Sequence, residues 1–252
     1  MMETATALIQ DLRRKVEACP PAVHGDGTWA LEWDAIQILA DVLHDGVTTV
    51  ETGAGLSTIV FAAFGCNHTA ITPIEEEATR ITDWLHTNEI RSDRVVFDHR
   101  PSWDAAPEYH SKQWDVVLID GCHGFPVPFL DFFYLGRQLR LGGVLVVDDT
   151  HLWTGRVLRD FLTEDPDWRL MARTGKTAFF TKERSQETYE WEWVRQPYVV
   201  RRSGFGLREW TRARRAEAGR LIGYVVNWNW RRIWQAVDRR IGGKRKGGER
   251  GK

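Results

Sequence analysis

From about residue 47 to residue 182, apolar positions arrive in two alternating rhythms. Short β-branched or apolar runs read as strands over Thr48–Glu51, Thr69–Thr72, Arg94–Phe97, Val116–Asp120 and Val144–Asp148. Between them, apolar residues suit helices from about Ser57, over Glu75–His86 and over about Pro128–Leu139. Such alternation predicts an α/β fold, a parallel sheet with helices on both sides. A further helix over Thr154–Leu162 precedes two more strand-like runs, Trp168–Ala172 and Thr177–Thr181. With Thr174-Gly175 turning between them, these predict an antiparallel hairpin and seven strands in all. Upstream, Glu3–Ala18 and Thr28–Leu43 carry helical spacing, and Leu31, Ile36, Leu39 and Leu43 share a face. Pro20-Pro21 separates the two stretches. No internal repeat is present. The expected organisation is a helical segment over 1–27, the α/β domain over 28–184, and a linker with a C-terminal extension over 185–252; the charged stretch Glu183–Arg195 reads as the linker.

Charge changes the picture of that extension. The 252 residues carry 34 Lys+Arg and 35 Asp+Glu, a net charge of −1. From Arg201 onward there are 16 Lys+Arg against 4 Asp+Glu, which leaves 18 against 31 in the first 200 residues. The acidic α/β region argues against a nucleic acid substrate, because phosphate binding relies on Lys and Arg. No run approaches the roughly 18–20 apolar residues that span a bilayer, and the polar, amphipathic start MMETATALIQDLRRKVEA lacks a secretory pattern. Cys19, Cys66 and Cys122 are too far apart for a disulfide framework or a metal knuckle. A cytoplasmic protein is the expectation.

The chemistry concentrates in three places. The first is VTTVETGAGLST (Val47–Thr58), where a strand meets an acid and then two glycines one residue apart, with a helix-compatible stretch following. Gly53 and Gly55 can let backbone N–H groups approach a ligand, and Ser57 or Thr58 can cap the helix. Glu51 at the strand end is poorly placed for a pyrophosphate and favours a ligand with a cationic end. The other two are WDVVLIDGCH (Trp114–His123) and LRLGGVLVVDDTH (Leu139–His151).

Together, ETGAGLST and DGCHGF…D…L..GGVLVVDD resemble the class I S-adenosylmethionine-dependent methyltransferases over roughly Thr28–Lys182. Among these, the metal-dependent small-molecule and sugar O-methyltransferases are the most similar in kind. The resemblance implies a Rossmann-like methyltransferase fold, a seven-stranded, mostly parallel sheet with a final antiparallel strand. It also implies that the first loop, with Glu51, Gly53, Gly55 and Ser57, holds the methionine part of S-adenosylmethionine, and that Asp120 adjoins the cofactor. Asp131 falls where the family's linking helix often carries an acid. The family's ribose-binding acid ends the second strand; here that position is Thr72, a departure. Glu75, one turn later, is the substitute, although acids at a helix start also complement the helix dipole without any ligand. Ser102 lies where family members contact adenine, or is simply a solvated loop serine.

Asp120, Asp148 and Asp149 end two neighbouring strands, so their carboxylates should converge where α/β sheets bind ligands. Such a cluster calls for a cation, and oxygen ligands suit Mg²⁺. The resemblance implies the same divalent site; the alternative is that these aspartates order loops. His123, three residues after Asp120, matches a general base of similar sugar O-methyltransferases, and imidazole can deprotonate an alcohol near neutral pH. His151 is the competing base, and the other histidines read as surface or structural. Cys122 has no arrangement that makes it a nucleophile. Trp29, Trp33, Trp103, Trp114 and Trp153 can wall an acceptor pocket or fill the core.

The expected function is therefore S-adenosylmethionine-dependent O-methylation of a small-molecule or sugar hydroxyl, assisted by a divalent metal such as Mg²⁺. Left open are a metal-independent or N-directed methyltransferase, and a methyltransferase-like binding domain tethered by its tail. In the tail, Ile222, Val226, Trp230, Ile233, Val237 and Ile241 form an apolar helical stripe flanked by arginines. Peripheral contact with an anionic membrane, packing on the catalytic domain and homo-oligomerisation are its three readings; nucleic acid contact through KRKGGERGK follows them.

Overall fold

The computed structural model describes residues 2–21, 30–184 and 196–204, together with 211, 212, 215, 216, 218 and 219. Trp29, the 185–195 linker, the Ile222–Ile241 stripe and the basic run beyond Gly242 lie outside the described residues. The chain forms two compact units, Met1–Ser185 and Gln186–Lys252. In the second, α8 (Pro197–Arg202) starts with proline in its first turn, where the missing N–H costs nothing.

In the first unit, α1 (Met2–Ala18) and α2 (Trp33–Ala40) precede β1 (Thr48–Thr52), α3 (Leu56–Ala63), β2 (Asn67–Ile71), α4 (Glu75–Thr87) and β3 (Val95–Asp98). Next come the short α5 (Ser102–Ala105), β4 (Trp114–Ile119), α6 (Val127–Tyr134), β5 (Leu139–Val147), α7 (Trp153–Glu164), β6 (Trp168–Arg173) and β7 (Ala178–Lys182). The sheet order is β3-β2-β1-β4-β5-β7-β6. The first five strands of that order run parallel, while β7 lies antiparallel to both β5 and β6. This is the expected Rossmann-like methyltransferase sheet.

Alternation along the central strands explains the layers. Val116 and Leu118 of β4, with Val144 and Val146 of β5, pack toward α1–α4, where Ile9, Leu12, Ile36, Leu39, Ile59 and Phe61 are buried. Val117, Ile119, Leu145 and Val147 point the other way, toward Phe132 of α6 and Leu158 and Leu162 of α7. Burial on both faces is why these strands read as continuous apolar runs rather than alternating ones. Helix α1 is part of this core, because Ile9 and Leu12 are buried in it.

Register aligns the strand ends that matter. Thr52 of β1 pairs with Ile71 of β2 on one side and with Ile119 of β4 on the other. From β1 the chain winds outward to β2 and β3, then returns to β4 on the opposite side. The carboxyl ends of β1 and β4 therefore flank the point where α/β sheets open a crevice. Among the described residues, no helix is long and apolar enough to cross a membrane.

Candidate active site

A cavity of about 340 Å³ opens at that crevice. Its floor is the β1–α3 loop Gly53–Ser57, its sides are Thr72, Ile74 and Glu77 beyond β2 and Ser102 and Trp103 beyond β3, and its far end is Asp120, Cys122, His123 and Asp149. Gly53 is at φ +89°, and a Cβ there would stand 2.6 Å from the Asp120 carbonyl oxygen, so loop and β4 meet backbone to backbone. Gly55 and Ser57 also line the cavity.

Glu51 holds this loop from beneath. Its carboxylate is 1% exposed and is not part of the cavity wall. It accepts hydrogen bonds from Ser57 Oγ at 2.5 Å, from Thr58 Oγ1 and from His68 Nε2 at 3.0 Å. The Gly55 N–H in turn donates to Thr58 Oγ1 at 2.9 Å. His68, one of the histidines with no assigned partner in the sequence, is buried, stacked on Phe61 and bonded to Thr49 at 2.8 Å. A fully paired buried carboxylate of this kind fixes a loop's shape.

At the second strand the structure distinguishes two glutamates. Glu75 opens α4 and is not among the cavity residues, whereas Glu77 is buried, lines the cavity and accepts a 2.7 Å hydrogen bond from Thr72 Oγ1. The signal was in the sequence: Glu77 shares the helical face of Ala78, Ile81, Trp84 and Leu85, all buried. Ser102 begins α5 and is buried against the cavity. Asp131, on α6, is fully buried, and burial pushes its carboxyl up to about 6 against the opposing influence of Ser102, Thr52 and His123.

The acidic cluster differs from expectation. Asp120, His123 and Asp149 each present a ligand atom within 4.8 Å of the others. Asp148, expected as a third metal ligand, is not part of that group: its carboxylate accepts from Thr177 Oγ1 at 2.5 Å and pairs with Lys176 Nζ at 3.2 Å. No local pattern marks Lys176, because only the β6–β7 turn brings it beside β5.

His123 and Asp149 form a dyad. His123 Nε2 lies 3.0 Å from Asp149 Oδ2, and Lys176 Nζ lies 3.1 Å from Oδ1. The hydrogen bond to His123, then Lys176, hold the Asp149 carboxyl down at about 2. Donation from Nε2–H to the carboxylate fixes the tautomer by pairing and leaves Nδ1 as the acceptor. Thr154 Oγ1, at the start of α7, donates to the His123 carbonyl at 2.6 Å and holds that loop in place. His151 is more exposed and stands 3.7 Å from Asp149 Oδ1. Asp120 is pushed well above the usual carboxylate range, first by burial and then by the charges of Asp148, Asp149 and Glu51. Beside this end, Phe125 and Trp153 are 71% and 57% exposed with ring centroids 6.2 Å apart. Cys122 is free and exposed.

Residues 50–150 match a family described as a methyltransferase domain. No curated protein matches the sequence. Among solved structures, the chain is similar to an O-methyltransferase from Bacillus cereus in complex with S-adenosylhomocysteine, at 15% identity and a TM-score of 0.55, covering 73% of this chain and 100% of that one. It is also similar to the O-methyltransferase TomG from Streptomyces achromogenes, involved in tomaymycin synthesis and solved with S-adenosylmethionine, at 16% identity, a TM-score of 0.52 and coverage of 70% and 90%. A third is a methyltransferase from Podospora anserina bound to S-adenosylhomocysteine, at 14% identity, a TM-score of 0.51 and coverage of 71% and 88%.

Proposed function

We propose that this chain, which carries a class I S-adenosylmethionine-dependent methyltransferase domain, methylates a hydroxyl group of a small molecule. The observation that carries the proposal is the His123–Asp149 dyad in the wall of the cavity. The cavity suits the cofactor: a glycine loop whose backbone can approach a ligand, acids at Glu77 and Asp120, and apolar walls at Ile71, Ile74 and Trp103. Bound there, S-adenosylmethionine supplies a sulfonium methyl group.

The chain's own residues supply the rest. Asp149 orients the His123 ring, so that Nδ1 can take the proton of an acceptor hydroxyl as its oxygen becomes a nucleophile. Burial first, and then the charges of Asp148, Asp149 and Glu51, favour the neutral form of Asp120. The walls fix the distance and angle of approach, on which methyl transfer chiefly depends. Phe125 and Trp153 offer a ring-lined approach to an acceptor with apolar surface beside its hydroxyl. Oxygen rather than nitrogen is favoured because an alcohol needs such a base.

Metal-assisted transfer is the second reading, favoured by the convergence of Asp120, His123 and Asp149 within 4.8 Å. Imidazole among the ligands suits a transition metal such as iron better than magnesium, and in that reading His123 is a ligand instead of a base. The test uses tritiated S-adenosylmethionine and a panel of small-molecule alcohols, phenols and sugars. His123→Ala should lower turnover by roughly 10²–10⁴ while S-adenosylhomocysteine still binds. A loss confined to His151→Ala transfers the base role there, and a loss on chelation that Mn²⁺ restores selects the second reading. Cytoplasmic location, read from the spacing of the cysteines, and oligomerisation or membrane contact, read from the basic tail with its apolar stripe, accompany this proposal.

A further inference from the structure

We propose that Lys176 is the resident cation of this site, its ammonium group occupying the place by the paired strand-end aspartates that a divalent metal would otherwise take. The inference rests on the first reading of the function, in which His123 works as a base.

Three observations carry it. The ammonium sits between two carboxylates, 3.2 Å from Asp148 Oδ2 and 3.1 Å from Asp149 Oδ1. Its placement is built in through the backbone, because the Lys176 carbonyl accepts both the Thr150 N–H at 2.7 Å and Thr150 Oγ1 at 2.9 Å. That clamps the residue to the chain directly after Asp149. Thr177 completes the arrangement by donating to the other oxygen of Asp148 at 2.5 Å. The Asp148 side chain is fully buried and that of Lys176 only 17% exposed, so the carboxylate meets a fixed ammonium instead of water.

The donor set agrees. An oxygen cage of Asp120, Asp148 and Asp149 would suit magnesium, but Asp148 is committed to Thr177 and Lys176, which leaves an imidazole in its stead. Those residues do not fit magnesium. A divalent ion on Asp149 would also face the lysine's like charge a few ångströms away, so ion and ammonium exclude each other. Lys176 therefore acts as a positioning residue. It neutralises the pair of acids, holds Asp149 against His123 and keeps the imidazole free of metal.

The test is Mn²⁺ binding to the full-length protein, followed by the paramagnetic resonance of free Mn²⁺. Wild type and Lys176→Arg should bind it no better than background. Lys176→Ala should bind at least ~10-fold more tightly, a modest part of what removing one like charge at this distance is worth at protein dielectrics. The gain should vanish in the Lys176→Ala, Asp149→Ala double variant. Lys176→Met, closer in volume, stands in where the alanine variant folds poorly. An unchanged Lys176 variant overturns the proposal, whether both proteins bind the ion or neither does. So does a gain that survives loss of Asp149. Calorimetry with S-adenosylhomocysteine on each protein separates the two ideas: failure to bind it anywhere removes the methyltransferase reading while the Mn²⁺ comparison still reports on Lys176.

Discussion

Replacing Gly53 by alanine tests whether the β1–α3 loop is shaped by its contact with β4. Two costs are added. Gly53 sits at φ +89°, where an L-residue costs on the order of 1 kcal/mol. The new methyl group would also lie 2.6 Å from the Asp120 carbonyl oxygen and 3.2 Å from its carbon, both backbone atoms of the residue directly after the paired strand β4. Relieving that overlap needs a shift of loop or strand, and forced overpacking costs about 1–3 kcal/mol. The expected destabilisation is about 3 kcal/mol, or roughly 6–12 °C in Tm for a domain of this size. Gly142→Ala supplies the control: Gly142 is at φ +77°, but a Cβ there meets nothing within 4 Å, so it should lose only about 1 kcal/mol, or roughly 2–4 °C. Calorimetric titration with S-adenosylhomocysteine completes the assay. Gly53→Ala should weaken binding at least ~10-fold, the effect of about 1.4 kcal/mol, while Gly142→Ala should bind as wild type does. The reasoning is refuted if the two variants melt together and bind the ligand equally.

Two further outcomes follow from other parts of the site. Asp131 is buried with its carboxyl raised from the ordinary 3.8 to about 6, so ionising it disfavours the folded state: its relative stabilisation holds below pH ~4 and is lost as pH rises through about 6. Asp131→Asn should therefore gain stability over wild type across that window, by on the order of 3 kcal/mol, and hold the gain at higher pH; urea melts at pH 4, 6 and 8 check this, and a pH-independent difference contradicts it. Trp153→Ala should raise the acceptor's KM roughly 3–10-fold with kcat little changed, since it removes an exposed ring worth about 0.5–1.5 kcal/mol of stacking. An effect on kcat alone would place the ring in the transfer step.

The strands were legible because burial on both faces leaves an unmistakable apolar run, as in Val116–Ile119. Their ends were less so. The apolar run puts the start of β5 at Val144, yet the strand begins at Leu139 and absorbs Gly142 and Gly143 where its register with β4 shifts between Trp114 and Val116. The short helix Ser102–Ala105 carries too few residues for any periodicity to show. In the site, local signals located the loop, Asp120, His123 and Asp149, while roles set by side-chain direction or by distant partners stayed hidden. Glu51 has the residue type of a ligand contact, but three donors converging from α3 and β2 turn it into the loop's support. Glu77 differs from Glu75 only in helical phase. Lys176 lies 27 positions beyond Asp149 and meets it solely because β7 inserts between β5 and β6.

The central claim, that the crevice beside β1 and β4 is a cofactor site delivering a methyl group toward His123, is tested most directly by a crystal structure of the full chain with S-adenosylhomocysteine. The account predicts the amino-acid end of the ligand against the Gly53–Ser57 loop, its ribose within hydrogen-bond reach of Glu77, its base between Ile74 and Trp103, and its sulfur directed toward the end of the cavity that holds His123 and Asp149. Ligand bound elsewhere, or in this cavity with its sulfur turned away from that pair, would contradict it.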